Sequence, residues 1–183
     1  VHLGFDVVVS NSEHELTEAT HIVLPGVGAF GDTMDNVRKT ISLKILENQI
    51  HQQHKPFLGI CVGLQILGDK GHEFGEHQGL GWVPGIVDNI DTLGLPLPHV
   101  GWNDVRFQID HPLFEGLSSG EDFYFVNSFA LTPTQERHTI ATAEYGTPFT
   151  AAVAYNNIFG VQFHPEKSQH AGLRLLNNFM QLR

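Results

Sequence analysis

Apolar positions along this chain change their period several times, and each change marks an element. The stretch FDVVV at 5–9 is apolar and β-branched and predicts a strand. The residues before it, from Val1, read as the end of a helix. HIVLPG at 21–26 predicts a second strand, closed by Pro25 and Gly26. The period then lengthens. Met34, Val37, Ile41 and Ile45 fall at helical spacing, and Leu46 and Ile50 carry the stripe to about Gln53, with a break near Thr40 and Ser42. Pro56 ends that stretch, and PFLGI at 56–60 predicts a short buried strand. Leu64, Ile66 and Leu67 fit a helix starting near Val62. Strand, helix, strand, helix in this order predicts a parallel sheet with crossover helices.

The second half has a different rhythm. DFYFVNSF (122–129), TIATAEY (139–145), FTAAVAY (149–155) and IFGVQFH (158–164) are four strand-like runs. Gly146-Thr147-Pro148 joins one pair. Asn156-Asn157 joins the next and suits a two-residue hairpin turn with positive φ. These runs predict an antiparallel section added to the parallel one. Leu173, Leu175, Leu176, Phe179 and Met180 form the apolar face of a last helix. The pattern predicts one α/β domain over 1–183.

Composition narrows the function classes. With 41% hydrophobic and 16% charged residues, the chain reads as a soluble globular protein. No apolar run approaches the roughly 18 residues of a membrane span, so no membrane role is expected. The formal net charge is -10 and the pI near 5.5. Such a surface repels phosphate backbones, and no cluster of Lys and Arg offsets it, which sets nucleic acid aside. The single cysteine, Cys61, has no partner for an internal disulfide. That fits a reducing compartment, the cytoplasm.

Cys61 stands in G-I-C-V-G (59–63), where the strand period gives way to the helical one. A strand turning sharply into a helix presents the residue at the turn above the end of the sheet. Glycines two before and two after it relieve backbone crowding, as in the G-x-S-x-G elbow that holds a serine. The helix N-terminus aimed at the sulfur is expected to lower the thiol pKa. The N–H of Val62 faces the space where an oxyanion forms. A buried, inert cysteine is the competing reading.

A thiol nucleophile needs a base and a group to orient it. FGVQFHPEKS (159–168) offers both. Pro165 keeps the backbone extended, so His164 and Glu166 project to one side. Glu166 then accepts the Nδ1–H of His164 and leaves Nε2 for the sulfur. LPGVGAFGD (24–32) adds a third part: Gly26 and Gly28 leave the backbone of the Val27–Gly28 turn free to approach a ligand as oxyanion donors. HEFGEH (72–77) has a spacing one residue too long for an inverted zincin motif. Glycines 71, 75 and 79 break any helix there. It reads as a solvated loop, and no metal site is expected.

P-G-V-G, then G-I-C-V-G-L-Q, then H-P-E in this order resembles the class I, triad-type glutamine amidotransferases. LPLPHVGWNDV (95–105), FYFVNSF (123–129), YGTPFTAAV (145–153) and GVQFHPEKS (160–168) extend the resemblance over nearly the whole chain, toward the glutaminase subunits of imidazole glycerol phosphate synthases. The resemblance implies a flavodoxin-like, mostly parallel sheet with helices on both faces plus the antiparallel addition. It implies hydrolysis of L-glutamine to glutamate and ammonia through a cysteinyl thioester, in histidine biosynthesis, with no metal or organic cofactor. Cys61 would be the nucleophile, His164 the base and acid, and Glu166 its orienter. Val27, Gly28 and Val62 would hold the oxyanion, and Gly26, Gln65, Asn127 and Ser128 would line the glutamine site. Trp102, Asn103, Tyr124 and Lys167 would face a (β/α)8 cyclase subunit in a heterodimer. Core packing is the alternative for Trp102 and Tyr124.

Two departures from the family pattern stand out. Asn127-Ser128-Phe129 replaces a common His-Ser-Tyr. The family's opening strand and first helix, with their Gly-Asn loop, have no counterpart here. The chain starts at Val1 rather than a methionine, and the expectation is a native polypeptide that begins earlier. Three rival functions stay open on sequence alone: a glutaminase subunit of another amidotransferase, a stand-alone γ-glutamyl hydrolase, and a non-catalytic binding subunit.

Overall fold

The structure is a computed structural model that describes residues 3–183. The helix end expected at Val1 and His2 lies outside the described residues. The first half of the chain gives α1 (Glu13–Glu18), β1 (Ile22–Gly26), α2 (Phe30–Thr40), α3 (Leu43–Glu47), β2 (Phe57–Cys61), α4 (Val62–Gln65), β3 (Lys70–Gly71), β4 (His77–Gln78) and β5 (Gly85–Asn89). The second half gives β6 (His99–Phe107), β7 (Glu121–Asn127), β8 (Phe129–Pro133), β9 (Thr139–Tyr145), β10 (Thr147–Tyr155), β11 (Ile158–Val161) and α5 (Gln169–Phe179).

Seven strands form the main sheet in the order β1-β2-β11-β10-β9-β6-β7. The parallel portion is β1-β2-β11. The antiparallel portion is β11-β10-β9-β6-β7. Strand β2 is buried at all five positions, as a strand flanked on both edges and covered on its faces must be. Phe57 and Leu58 of β2 are fully enclosed, with Phe30 and Leu64 from the neighbouring helices and Phe123, Phe125 and Phe163 from the antiparallel part. The break expected near Thr40 and Ser42 is present: α2 stops at Thr40, α3 starts at Leu43, and a π-helical turn (Asn48–Gln52) follows.

FDVVV does not form a strand. Val7 and Val8 are exposed, and Val9 is 99% exposed. Branched side chains favour a pleated surface only when a paired neighbour and a core supply it, and no strand lies beside this segment among the described residues. The run predicted at 122–129 is also two strands rather than one. β7 stays in the main sheet, while β8 crosses after Ser128 to a second, four-stranded sheet ordered β4-β3-β5-β8. The backbone at Ser128 joins the two sheets, and the N–H of Ile90 donates to its carbonyl at 2.9 Å. The four-stranded sheet escaped the sequence reading because two of its strands are two residues long.

Candidate active site

Every glycine of the elbow is placed by a steric limit. A Cβ on Gly59 would collide with the Gly63 carbonyl, and one on Gly63 with the Leu24 carbonyl in β1. One on Gly26 would sit 2.8 Å from the Gly63 nitrogen. The end of β1, the end of β2 and the start of α4 thus approach with only hydrogen between them. Cys61 itself has φ +55 and ψ -114. This is a left-handed conformation that a non-glycine residue holds at about 1–3 kcal/mol and that the surrounding packing must enforce.

The sulfur is not activated by this placement alone. Cys61 is 5% exposed, and its thiol is pushed up to about 11, first by burial. The Glu166 charge adds to the rise, while the Val62 N–H, Lys167 and Gln162 act against it. The expectation of a lowered pKa is therefore corrected. α4 is a single turn of four residues, and what its first N–H gives the sulfur is less than desolvation removes. The thiol donates to the Val126 carbonyl at 3.8 Å and accepts from Gln162 Nε2 at 3.7 Å. Among the described residues it makes no hydrogen bond to His164.

His164 comes from the other half of the chain. Its Nδ1 lies 2.8 Å from Glu166 Oε1, with the ring buried and the carboxylate half-exposed. Two contacts fix its backbone. The His164 N–H donates to the Tyr124 carbonyl at 2.8 Å. The buried Ser168 hydroxyl donates to the His164 carbonyl at 2.6 Å and accepts from the Tyr124 N–H at 3.0 Å. Ser168 was not singled out by the sequence; only its place two residues after H-P-E marks it.

Cys61 and His164 line one cavity of about 280 Å³, near the lower end of small-molecule sites. Val27, Gly28, Val62, Gln65, Asn127, Ser128 and Lys167 line it too. Gly26 lies behind the wall, against Val62 and Gly63. Both amide hydrogens of Gln65 are committed to protein, to the Phe129 carbonyl (3.0 Å) and to Gln162 Oε1 (3.1 Å). What Gln65 can offer a ligand is its carbonyl oxygen. Asn127 donates to the Phe129 carbonyl at 3.2 Å. Its buried Oδ1 and the buried Nδ1 of His99, its register partner across the β6–β7 ladder, lack a well-formed hydrogen bond among the described residues.

The loop at 72–77 corrects the sequence reading in one respect. Phe74 and Glu76 are solvent-exposed, but Glu73 turns inward. Its Oε2 accepts the Phe30 N–H at 2.8 Å, at the first turn of α2, and among the described residues it is the only acidic one lining the cavity. No group of three potential metal ligands occurs among the described residues.

Trp102 and Tyr124 face each other across β6 and β7, with ring centroids 5.9 Å apart and planes at 73°. Trp102 is 47% exposed, so core packing does not account for it. Lys167 Nζ lies 5.7 Å from the Tyr124 ring centre, a cation–π distance. Asn103 instead turns along the sheet, donating to the Glu144 carbonyl at 2.8 Å.

The chain matches the Glutamine amidotransferase class-I family over residues 1–182. It is 44% identical to the imidazole glycerol phosphate synthase subunit HisH of Caulobacter vibrioides, over 99% of this chain and 86% of that one. It is also 44% identical to the subunit of the same name from Aquifex aeolicus, over 97% and 85%. A crystal structure of a glutamine amidotransferase superposes with a TM-score of 0.73 at 16% identity, covering 98% of this chain and 89% of its own. At that identity the superposition speaks for the fold alone. Identity at this level over nearly the full length leaves one conclusion: the chain belongs to the class-I glutamine amidotransferases, in the branch of the imidazole glycerol phosphate synthase HisH subunits.

Proposed function

We propose that this chain is the glutaminase of an imidazole glycerol phosphate synthase. It hydrolyses L-glutamine to glutamate and ammonia through a thioester on Cys61, and hands the ammonia to a (β/α)8 cyclase subunit in histidine biosynthesis. The observation that carries the catalytic roles is the pairing of a left-handed Cys61 at a glycine-packed elbow with a Glu166-bound His164 on the wall of the same cavity.

The chemistry follows from the geometry. Glu166 holds the Nδ1 proton of His164, so Nε2 is the free base. The thiol proton, directed at the Val126 carbonyl in the resting site, leaves once the sulfur turns toward Nε2. The thiolate attacks the side-chain carboxamide of glutamine. The Val62 N–H and the Val27–Gly28 backbone stabilise the oxyanion, each well-aimed donor being worth roughly 3 kcal/mol of barrier. His164 returns the proton to the departing nitrogen, and water activated by His164 then cleaves the γ-glutamyl thioester. The Glu73 carboxylate fits the α-ammonium group of the substrate. Asn127, Ser128 and the Gln65 carbonyl line the path between the two ends.

Ammonia is a nucleophile only as NH3 and is lost to protonation in bulk water, so the reaction has value when a partner takes it directly. The Trp102–Tyr124–Lys167 patch adjoins the cavity and suits that partner: an exposed Trp102 beside a half-buried Tyr124 offers the aromatic residues that interface centres favour. Cys61→Ala is expected to abolish glutamine hydrolysis while the complex with the cyclase still turns over with ammonium salts. Retained hydrolysis by that variant overturns the assignment.

A further inference from the structure

Gln162 directly follows the main-sheet strand β11 (Ile158–Val161), and no part of the reaction above uses it. Its side chain is fully buried. Its amide is held from both ends. Oε1 accepts from Gln65 Nε2 at 3.1 Å, and Nε2 donates to the Cys61 sulfur at 3.7 Å. Its own backbone N–H is anchored on the Ala151 carbonyl at 2.8 Å.

The direction of this relay is settled by counting hydrogens. Gln65 is a donor at Nε2, with its other hydrogen on the Phe129 carbonyl at 3.0 Å. The atom of Gln162 that meets it must be the oxygen, so the atom facing the sulfur must be the NH2 group. An NH2 group can only donate. A donor next to sulfur favours the thiolate over the thiol, whereas the Val126 carbonyl on the other contact, at 3.8 Å, accepts from and so favours the thiol. Among the described residues Gln162 is the only side chain within hydrogen-bonding distance of Cys61, and its contribution opposes the burial that raises the thiol pKa.

The geometry points to Gln162 as a positioning residue for the nucleophile: oriented by Gln65, it holds a fixed N–H on the sulfur and stabilises Cys61 as a thiolate. This rests on Cys61 being the nucleophile. It also gives Gln65 a second role, through Gln162, beside any contact with the substrate.

The test is the rate of alkylation by iodoacetamide, followed by intact mass, which reports one site because the chain has one cysteine. Gln162→Met keeps the volume and removes the donor. The log rate against pH is expected to drop about tenfold below wild type with its slope unchanged, equivalent to one pKa unit. A purely structural role gives the opposite sign, because a loosened site exposes the sulfur and speeds alkylation. Gln65→Met is expected to slow alkylation in the same sense, and to add little in the Gln162→Met background, as residues of one relay do. Rates equal to or faster than wild type in Gln162→Met overturn the proposal. If that variant does not fold, Gln65→Met decides by the same sign. Glutamine hydrolysis surviving Cys61→Ala would instead overturn the functional reading and leave the alkylation result standing, so the two failures are separable.

Discussion

The elbow around Cys61 and the turn at Val27–Gly28 meet at one cavity but are built in opposite ways. In the elbow, Gly26, Gly59 and Gly63 are all in contacts that leave no room for a methyl group. In the turn, Gly28 has φ +111 and, beyond its chain neighbours, no atom of the described residues within 4 Å of where a Cβ would lie, and Val27 is 83% exposed. Close packing therefore holds the backbone at the sulfur, while the Val27–Gly28 turn proposed for the oxyanion is open on its Gly28 side. The two differ because the ends of β1 and β2 and the start of α4 close around the Cys61 elbow, whereas Gly28 faces open space.

Gly63→Ala tests the packed side. Its methyl would meet the Leu24 carbonyl, backbone that cannot yield, so a loss of about 4 kcal/mol or more in urea unfolding, or no soluble protein, is expected. A well-folded Gly63→Ala with wild-type stability would show that the elbow is not held by close packing. The buried sulfur gives the next largest effect. A thiol at about 11 is ionised to about one part in a thousand at pH 8, against about one in ten for an ordinary thiol at 9.0. Alkylation of the isolated chain is therefore expected to run about a hundredfold slower than that of free cysteine. The reactive form is the deprotonated one, so the rate should climb about tenfold per pH unit, and guanidinium should remove the protection. Fast labelling at neutral pH would mean the elbow presents the sulfur to solvent. Gly28→Ala has the smallest expected effect on folding, about 1–2 kcal/mol, from left-handed backbone strain without a clash. Its larger effect should be on the hydrolysis rate constant rather than on KM, because the turn is assigned to the oxyanion. A Gly28→Ala loss as large as that of Gly63→Ala would erase the contrast.

Much of the site was legible because its signals are local. G-I-C-V-G shows both glycines and the change of period, and H-P-E places an acceptor two residues from an imidazole, although Pro165–Lys167 forms a 3-10 turn rather than the extended backbone expected, so the turn and not strand alternation brings Glu166 to His164. The Asn156 turn was legible on the same basis, with φ +55 at Asn156. Glu73 was not, since a carboxylate in a glycine-rich loop looks solvated until α2 is seen to present the Phe30 N–H to it. Gln162 was hidden in a strand-like run, where a polar residue normally faces water. The strand expected at 5–9 failed for the reverse reason: its composition suits a sheet, but among the described residues no strand pairs with it.

The linear order of residues was enough for the alternation of parallel and antiparallel parts, for Cys61 at a glycine-flanked turn and for His164 beside Glu166, because spacing and backbone chemistry act within a few residues. Which protonation state the sulfur rests in depended on distant segments: burial among them, hydrogen bonds at Val126 and Gln162, and the charge of Glu166. Burial and hydrogen bonding across a folded interior set that balance, and neither exists until strands remote in the chain are brought side by side.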